Sequence, residues 1–384
     1  MPAPAWHIVT GEYAPTPGGV ADYSRSLARA LVAAGDEVHV WAPANSAPLT
    51  QDPGVALHPL PGAYGPQSLA VLARELRGQR HPQRLLIQYV PQAFGMRAMN
   101  LPFCAWVAAL REPEVWVMFH EVALPWASGW RWRANAASAV TRAMAGVLAH
   151  RADRVFMSIP GWEPMLRGCT PAWRGGTWLP IPSNIPTSAS RARAAEIRSR
   201  LASRAASVVG HFGTYGPLIA STLRPLLERL LHADPGRIAL LVGRGSETFA
   251  AQLSADSRFG SRVLAADNLE PDDVASHLLA CDALVQPYPD GVSSRRTSVM
   301  AGLALGVPIA TNEGFLSEPV WRESRGVELV RSLDDLADAT DHLLRDPERA
   351  RSFSERGRAL YAAKFSLNRT VAILRGSTSS EPAS

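Results

Sequence analysis

Short apolar runs alternate along this chain with longer stretches in which apolar positions return at a helical period. The first run, at 6–10, is followed by the loop GEYAPTPGGV. Next comes a stretch whose Val20, Tyr23, Leu27 and Leu31 share one helical face and which Gly35 closes. Runs at 37–41, 84–90, 114–120 and 154–159 repeat the pattern with helical segments between them. No hairpin signal separates the runs, so the pattern predicts parallel strands covered by helices on both faces.

At 180–187 the run PIPSNIPT places three prolines in eight positions. Such a run continues neither a helix nor a central strand, and it predicts a linker. A second alternating series follows, with strands expected at 207–213, 237–245, 262–267, 282–288, 307–312 and 326–330, then a mainly helical end. The expected class is α/β, with two doubly wound, Rossmann-like domains at 1–183 and 184–365 facing each other across a cleft. A helix at 366–376 is expected to pack back on the first domain, and the polar tail 377–384 to be disordered.

Composition narrows the chemistry. At 384 residues the chain exceeds what one core serves, and 47% hydrophobic with 19% charged residues is a globular balance. A net charge of +5 suits anionic ligands or a membrane surface, while no basic run is dense enough for nucleic acid. Lys364 is the single lysine and sits outside any glycine-rich turn, which excludes a lysine-dependent phosphate loop and a Schiff-base enzyme. Cys104, Cys169 and Cys281 are too scattered for a zinc site or a disulfide framework, so a reducing cytoplasm fits. No signal peptide or membrane span is expected from the apolar runs.

Ligands of doubly wound sheets bind beyond the strand carboxyl ends. The candidates there are Gly18 and Gly19, the segment from Tyr89 to Gly95, His120 and Glu121, then Gly213 and Thr214, the GRG turn at 244–246, and PYPDGVSSRRTSVMAGLALGVP at 287–308. In the last segment a helix is expected to begin near Ser294 and to carry Val299, Leu303 and Ala304 inward. Its unpaired first-turn N–H groups attract an anion, and Arg295, Arg296, Thr297 and Ser298 add matching donors. The competing reading makes Ser293 or Ser294 a helix cap and leaves the arginines solvated.

Gly18 and Gly19 allow close approach of a ligand to the backbone, or simply form a turn. His120, at a strand end, suits donation to a reacting oxygen or a grip on a sugar hydroxyl, against a structural role. Trp126, Trp130 and Trp132, mixed with arginines, suit a membrane interface, stacking on a sugar acceptor, or ordinary helix packing. The GRG turn lacks the third glycine of a dinucleotide fingerprint, which weighs against a nicotinamide-dependent oxidoreductase.

The loop PGGVADYSRSLARALVAAGDEVHVW, the strand end MFHE, the turn HFGTYG, LLVGRGSE, and the frame from ALVQPYPDG to ALGVPIATNEG together resemble retaining glycosyltransferases of family 4, which have the GT-B fold. The resemblance runs through nearly the whole chain. It implies transfer of a sugar, with retained anomeric configuration, from a nucleotide-sugar donor to a glycan, lipid-linked or small-molecule acceptor, with no tightly bound cofactor or metal. It places Gly18, Gly19, Gly213, Thr214 and Ser293 to Ser298 on the donor, with His120 as the catalytic candidate near the transferred sugar. Tyr89, Glu121 and Trp126 fall on the acceptor side, in a cytoplasmic protein that nucleic acid does not engage and that a membrane's inner face could hold peripherally.

Two features depart from that family. Ser293 and Ala301 stand where it carries a pair of glutamates, and HFGTYGPLIAS lacks its arginine and lysine pair. Arg295 and Arg296 are expected to replace the missing positive charge. The absent carboxylates also keep open a catalytically silent protein of the same fold that binds a nucleotide or a partner.

Overall fold

The computed structural model describes residues 4–44, 48–78, 82–129, 131–188, 190–202, 207–255 and 258–376. The tail expected at 377–384 and Trp130 lie outside them. The chain divides into two compact units, residues 1–180 with 370–384 and residues 181–369, and each is described by itself.

Unit 1 is built on a parallel sheet of seven strands: β1 (Ala5–Thr10), β2 (Val38–Pro43), β3 (Val55–Leu60), β4 (Gln83–Tyr89), β5 (Glu114–Phe119), β6 (Arg154–Met157) and β7 (Thr177–Trp178). Their order across the sheet is β3-β2-β1-β4-β5-β6-β7. β1 is buried along its whole length, as a strand covered on both faces must be, so it reads as a continuous run. The strands expected from apolar runs are all present, whereas β3 and β7 were not legible. β3 carries Pro59 and a mixed burial pattern, and β7 has only two residues.

The first helix, Gly19–Ala33, buries Tyr23, Leu27 and Leu31 against the sheet, while Val20 is half-buried. Tyr64 Oη lies 2.6 Å from the Thr10 carbonyl and 2.9 Å from that of Trp41, tying the carboxyl ends of β1 and β2 together. At the C-terminal end of the chain, the Leu367–Leu374 helix buries Val371, Ile373 and Leu374, and Arg375 Nε lies 3.3 Å from Asp36.

Unit 2 holds a parallel sheet of six strands: β8 (Ser207–Phe212), β9 (Arg237–Val242), β10 (Val263–Ala266), β11 (Ala283–Gln286), β12 (Ile309–Asn312) and β13 (Glu328–Val330). Their order is β10-β9-β8-β11-β12-β13. The Pro217–Ala233 helix sets Leu223, Leu227 and Leu231 into a core shared with Val209, Leu241 and Val285. In both units the strand order reverses beside the first strand, at β1/β4 and at β8/β11. Such a switch point opens a crevice beyond the strand carboxyl ends, because the connections on either side leave toward opposite faces.

Residues 180–187 form neither helix nor strand, as the prolines predict. Within unit 2, Ile181 donates its N–H to the Ser294 carbonyl (3.0 Å), and Ser183 donates to Tyr361 Oη (3.2 Å). Among the described residues no helix is long and apolar enough to cross a membrane.

Candidate functional site

In unit 2 the turn after β11 is clamped to the neighbouring strand end. Tyr288 N–H donates to Asn312 Oδ1 (2.8 Å), and Asn312 Nδ2 donates back to the Tyr288 carbonyl (2.8 Å). Gly291 has a φ of +86°, and a Cβ there would lie 2.2 Å from Gly314 N, so only glycine lets the two turns touch. The Asp290 carbonyl accepts the Leu316 N–H (3.1 Å), which fixes the backbone at Asp290.

The helix begins at Thr297, three residues beyond the expected start, with Arg296 at the cap position and no side-chain cap bond. Val299 and Leu303 point inward as expected, whereas Ala304 is only half-buried. Neither serine caps this helix. Ser293 Oγ is fully buried with no hydrogen-bond partner. Ser294 turns away to Glu318, whose Oε1 accepts the Ser294 N–H (2.9 Å) and the Ser294 hydroxyl, and whose Oε2 accepts the Trp321 indole N–H (2.6 Å). Burial pushes the Glu318 carboxyl above its ordinary range, and these donors work against that shift.

The two arginines converge on one carboxylate. Arg295 Nη2 donates to Asp290 Oδ2 (2.7 Å), and Arg296 Nη2 donates to Asp290 Oδ1. The Arg296 guanidinium also lies 5.0 Å over the Tyr288 ring, whose Oη is 2.7 Å from Ser298 Oγ. Burial works to raise the Asp290 carboxyl, but Arg296 and Arg295 outweigh it and hold it below the ordinary range. The arginines are therefore a paired cluster, not solvated side chains.

The turn after β8 lies at the adjacent strand end. Gly213 donates to the Val242 carbonyl (3.1 Å), and Thr214 is exposed. Beside it Gln286, at the end of β11, is fully buried with both amide atoms unpartnered. In the GRG turn Gly245 donates to Asp267 Oδ2 (2.9 Å), which is a structural use of that loop.

In unit 1 the Glu12 carboxylate accepts the Ala21 N–H (3.2 Å) at the start of the Gly19–Ala33 helix. Gly18 is extended, and a Cβ there would meet Glu12 Oε1 at 2.3 Å, whereas at Gly19 nothing lies within 4 Å. The helix start is thus partly covered by Glu12 and open at Gly19.

His120 is 8% exposed, with Nε2 2.8 Å from Gln88 Oε1 and its ring edge-on to Tyr23 at 5.0 Å. Its backbone is held on both sides, since its N–H donates to Tyr89 and its carbonyl accepts from Ser158 Oγ and Trp162 Nε1. Burial pushes the ring down to a pKa of about 3, so it is neutral near pH 7, with one nitrogen a donor and the other an acceptor. Tyr23 Oη and Gln88 Nε2 are buried nearby without partners.

Tyr89 is fully buried against Phe94 and Phe119 and faces the core. Glu121 is half-buried, with Gln92 Nε2 3.3 Å away. Trp126 and Trp132 are 56% and 63% exposed, so helix packing does not account for them. Each carries an arginine over its ring, Arg142 at 4.4 Å and Arg133 at 5.2 Å.

The structure adds Asp290, Glu318, Glu12 and Gln88 to the candidates. Asp290 has a local signal in its place within the Pro289-Asp290-Gly291 turn, shortly before the two arginines. Glu318 meets Ser294 from 24 positions away, and nothing local announces it. Among the described residues no group of three or more His, Cys, Asp or Glu side chains is placed to hold a metal ion.

Comparison with known proteins adds to this geometry. Residues 18–168 match the model of the glycosyl transferase 4-like domain. Solved structures align over almost the full chain. Sucrose-phosphate synthase from Thermosynechococcus elongatus has a TM-score of 0.73 at 17% identity, covering 97% of both chains. A glycosyltransferase from Rickettsia africae has 0.70 at 12% identity, covering 97% of this chain and 96% of that one. HepE of Anabaena, in complex with UDP and glucose, has 0.65 at 16% identity, covering 98% and 99%. The fold is GT-B. No curated protein matches the sequence. In GT-B terms, the match at 18–168 falls in unit 1, and the Asp290–Arg295–Arg296 cluster lies in unit 2, beyond the family model's reach.

Proposed function

We propose that this protein is a glycosyltransferase that takes a sugar from a nucleotide-sugar donor, with the donor held by the β8 and β11 turns of unit 2. One observation carries the proposal most directly. Two guanidinium groups converge on a single anion position, Asp290, at the switch point of a parallel sheet, in a chain that carries a glycosyl transferase 4-like domain.

Departure of a nucleoside diphosphate builds negative charge on the leaving oxygen. Arg295 and Arg296, with the Thr297 and Ser298 hydroxyls and the first N–H groups of the Thr297–Leu305 helix, supply donors to that charge. Ser293 Oγ and the Gln286 amide are further buried groups with free hydrogen-bonding capacity for the donor. Neutral His120 in unit 1 offers a donor or acceptor to a sugar hydroxyl. HepE was solved with UDP, which makes a uridine donor the first to test.

The acceptor side is assigned to unit 1, with Glu121 and Trp126, and transfer is taken to proceed with retention. No Asp or Glu falls between Val122 and Ala152, and Arg142 and Arg133 lie over the Trp126 and Trp132 rings. With Trp126 and Trp132 exposed, this surface suits a lipid-linked acceptor at an anionic membrane. Ser293 and Ala301, where the resembled family has glutamates, favour the second reading, a silent nucleotide-binding protein.

Calorimetry with UDP, GDP, ADP and TDP, followed by NMR of the matching donor sugars, tests both. Binding with hydrolysis or transfer that retains the anomer supports the enzyme. Binding without turnover supports the silent protein, and absence of binding overturns both.

A further inference from the structure

We infer that Asp290 is an internal competitor for the diphosphate, so that donor binding at Arg295 and Arg296 is an exchange of one anion for another. The inference rests on the proposal that unit 2 binds a nucleoside diphosphate. Asp290 spends one oxygen on each arginine, which is how a two-phosphate ligand would divide itself between them.

The carboxylate is tethered, so it competes at high effective concentration. Its backbone cannot retreat, because the Asp290 carbonyl accepts the Leu316 N–H and Gly291 abuts Gly314. Its side chain is 16% exposed, and release requires only side-chain rotation toward solvent. Arg296 Nε is buried without a partner, so the pair has donor capacity that Asp290 leaves unused. A ligand must therefore bring more than one carboxylate's charge to take the position. Asp290 thereby selects diphosphates over singly charged anions.

The test is calorimetry with inorganic pyrophosphate and with the nucleoside diphosphates, on the wild-type full chain and on Asp290→Asn. The substitution keeps the shape and removes the charge. Asp338→Asn, an exposed carboxylate of the same unit paired with Arg229, controls for general charge removal. Circular dichroism and a thermal melt check that each variant is folded.

The expected result is pyrophosphate binding tightened at least about tenfold in Asp290→Asn and less than about twofold in Asp338→Asn. In the triple variant Asp290→Asn/Arg295→Ala/Arg296→Ala the gain should vanish. Unchanged or weaker pyrophosphate binding in folded Asp290→Asn overturns the inference and makes Asp290 a strut that orients the arginines. The two proposals fail separately. Tightened pyrophosphate binding with no nucleoside diphosphate bound more tightly than pyrophosphate defeats the donor assignment alone. Nucleoside diphosphate binding that Asp290→Asn leaves unimproved defeats the competitor alone. No pyrophosphate binding to either protein overturns the competitor outright.

Discussion

Glu318 accepts both the N–H and the hydroxyl of Ser294 inside unit 2, and it anchors the end of the loop next to the arginines. Replacing Glu318 by Ala removes the carboxylate that accepts the Ser294 N–H and the Trp321 indole N–H inside the fold. A buried unsatisfied donor costs about 1–3 kcal/mol. Glu318→Ala should lower stability by roughly 2–4 kcal/mol, read as an earlier urea transition. A loss below about 0.5 kcal/mol would show that the loop is held elsewhere.

At Gly291 the backbone conformation and the contact with Gly314 both exclude a side chain. Gly291→Ala should destabilise by at least about 2 kcal/mol, since a left-handed conformation and a backbone clash act together. A thermal melt compares it with Gly19→Ala, where a Cβ meets nothing within 4 Å and the change should be small.

His120 in unit 1 and His211 in unit 2 are both held to about 3 by burial, from an ordinary 6.5. As pH falls below 6.5 the unfolded chain takes up these protons and the folded chain does not. Stability present above 6.5 is therefore lost progressively between 6.5 and about 3, at about 1.4 kcal/mol per pH unit for each histidine. Denaturant titrations from pH 7 to pH 5 should show the loss, about 2 kcal/mol per histidine at pH 5, and His211→Asn should flatten the slope. A slope unchanged by that substitution would refute the assignment for His211.

Removing both guanidinium groups should remove the diphosphate grip. Charge-assisted hydrogen bonds contribute about 1.5–3 kcal/mol each, so Arg295→Ala/Arg296→Ala should weaken nucleoside diphosphate binding by about a hundredfold or more. Circular dichroism should remain that of the wild type. Unchanged affinity would take the diphosphate away from this turn.

Exposed Trp126 and Trp132, with their arginines, should bring the protein to vesicles containing anionic lipid and not to neutral ones. Flotation reads this directly, and Trp126→Ala/Trp132→Ala should reduce the floated fraction several-fold. Protein that stays at the bottom with both vesicle types leaves the tryptophans to a soluble acceptor.

The sequence by itself determined the two parallel sheets. Strands buried on both faces leave continuous apolar runs, and helices between them leave a helical period, and both signals are local. It also marked the strand ends where Gly213, Arg295, Arg296 and His120 lie. It did not reveal β3, with its Pro59 and partly exposed residues, or the helix start at Thr297, which depends on how Ser294 is held. The partners of the marked residues were decided only in three dimensions. Asp290 closes on the arginines because its turn is jammed against Gly314, and Glu318 captures Ser294 across 24 positions. Gln88 reaches His120 from the neighbouring strand, and Tyr89 turns into the core because its side of the sheet is covered. Hydrophobic periodicity records which face of an element is buried, whereas a hydrogen-bond partner depends on where the packed elements bring separate segments together.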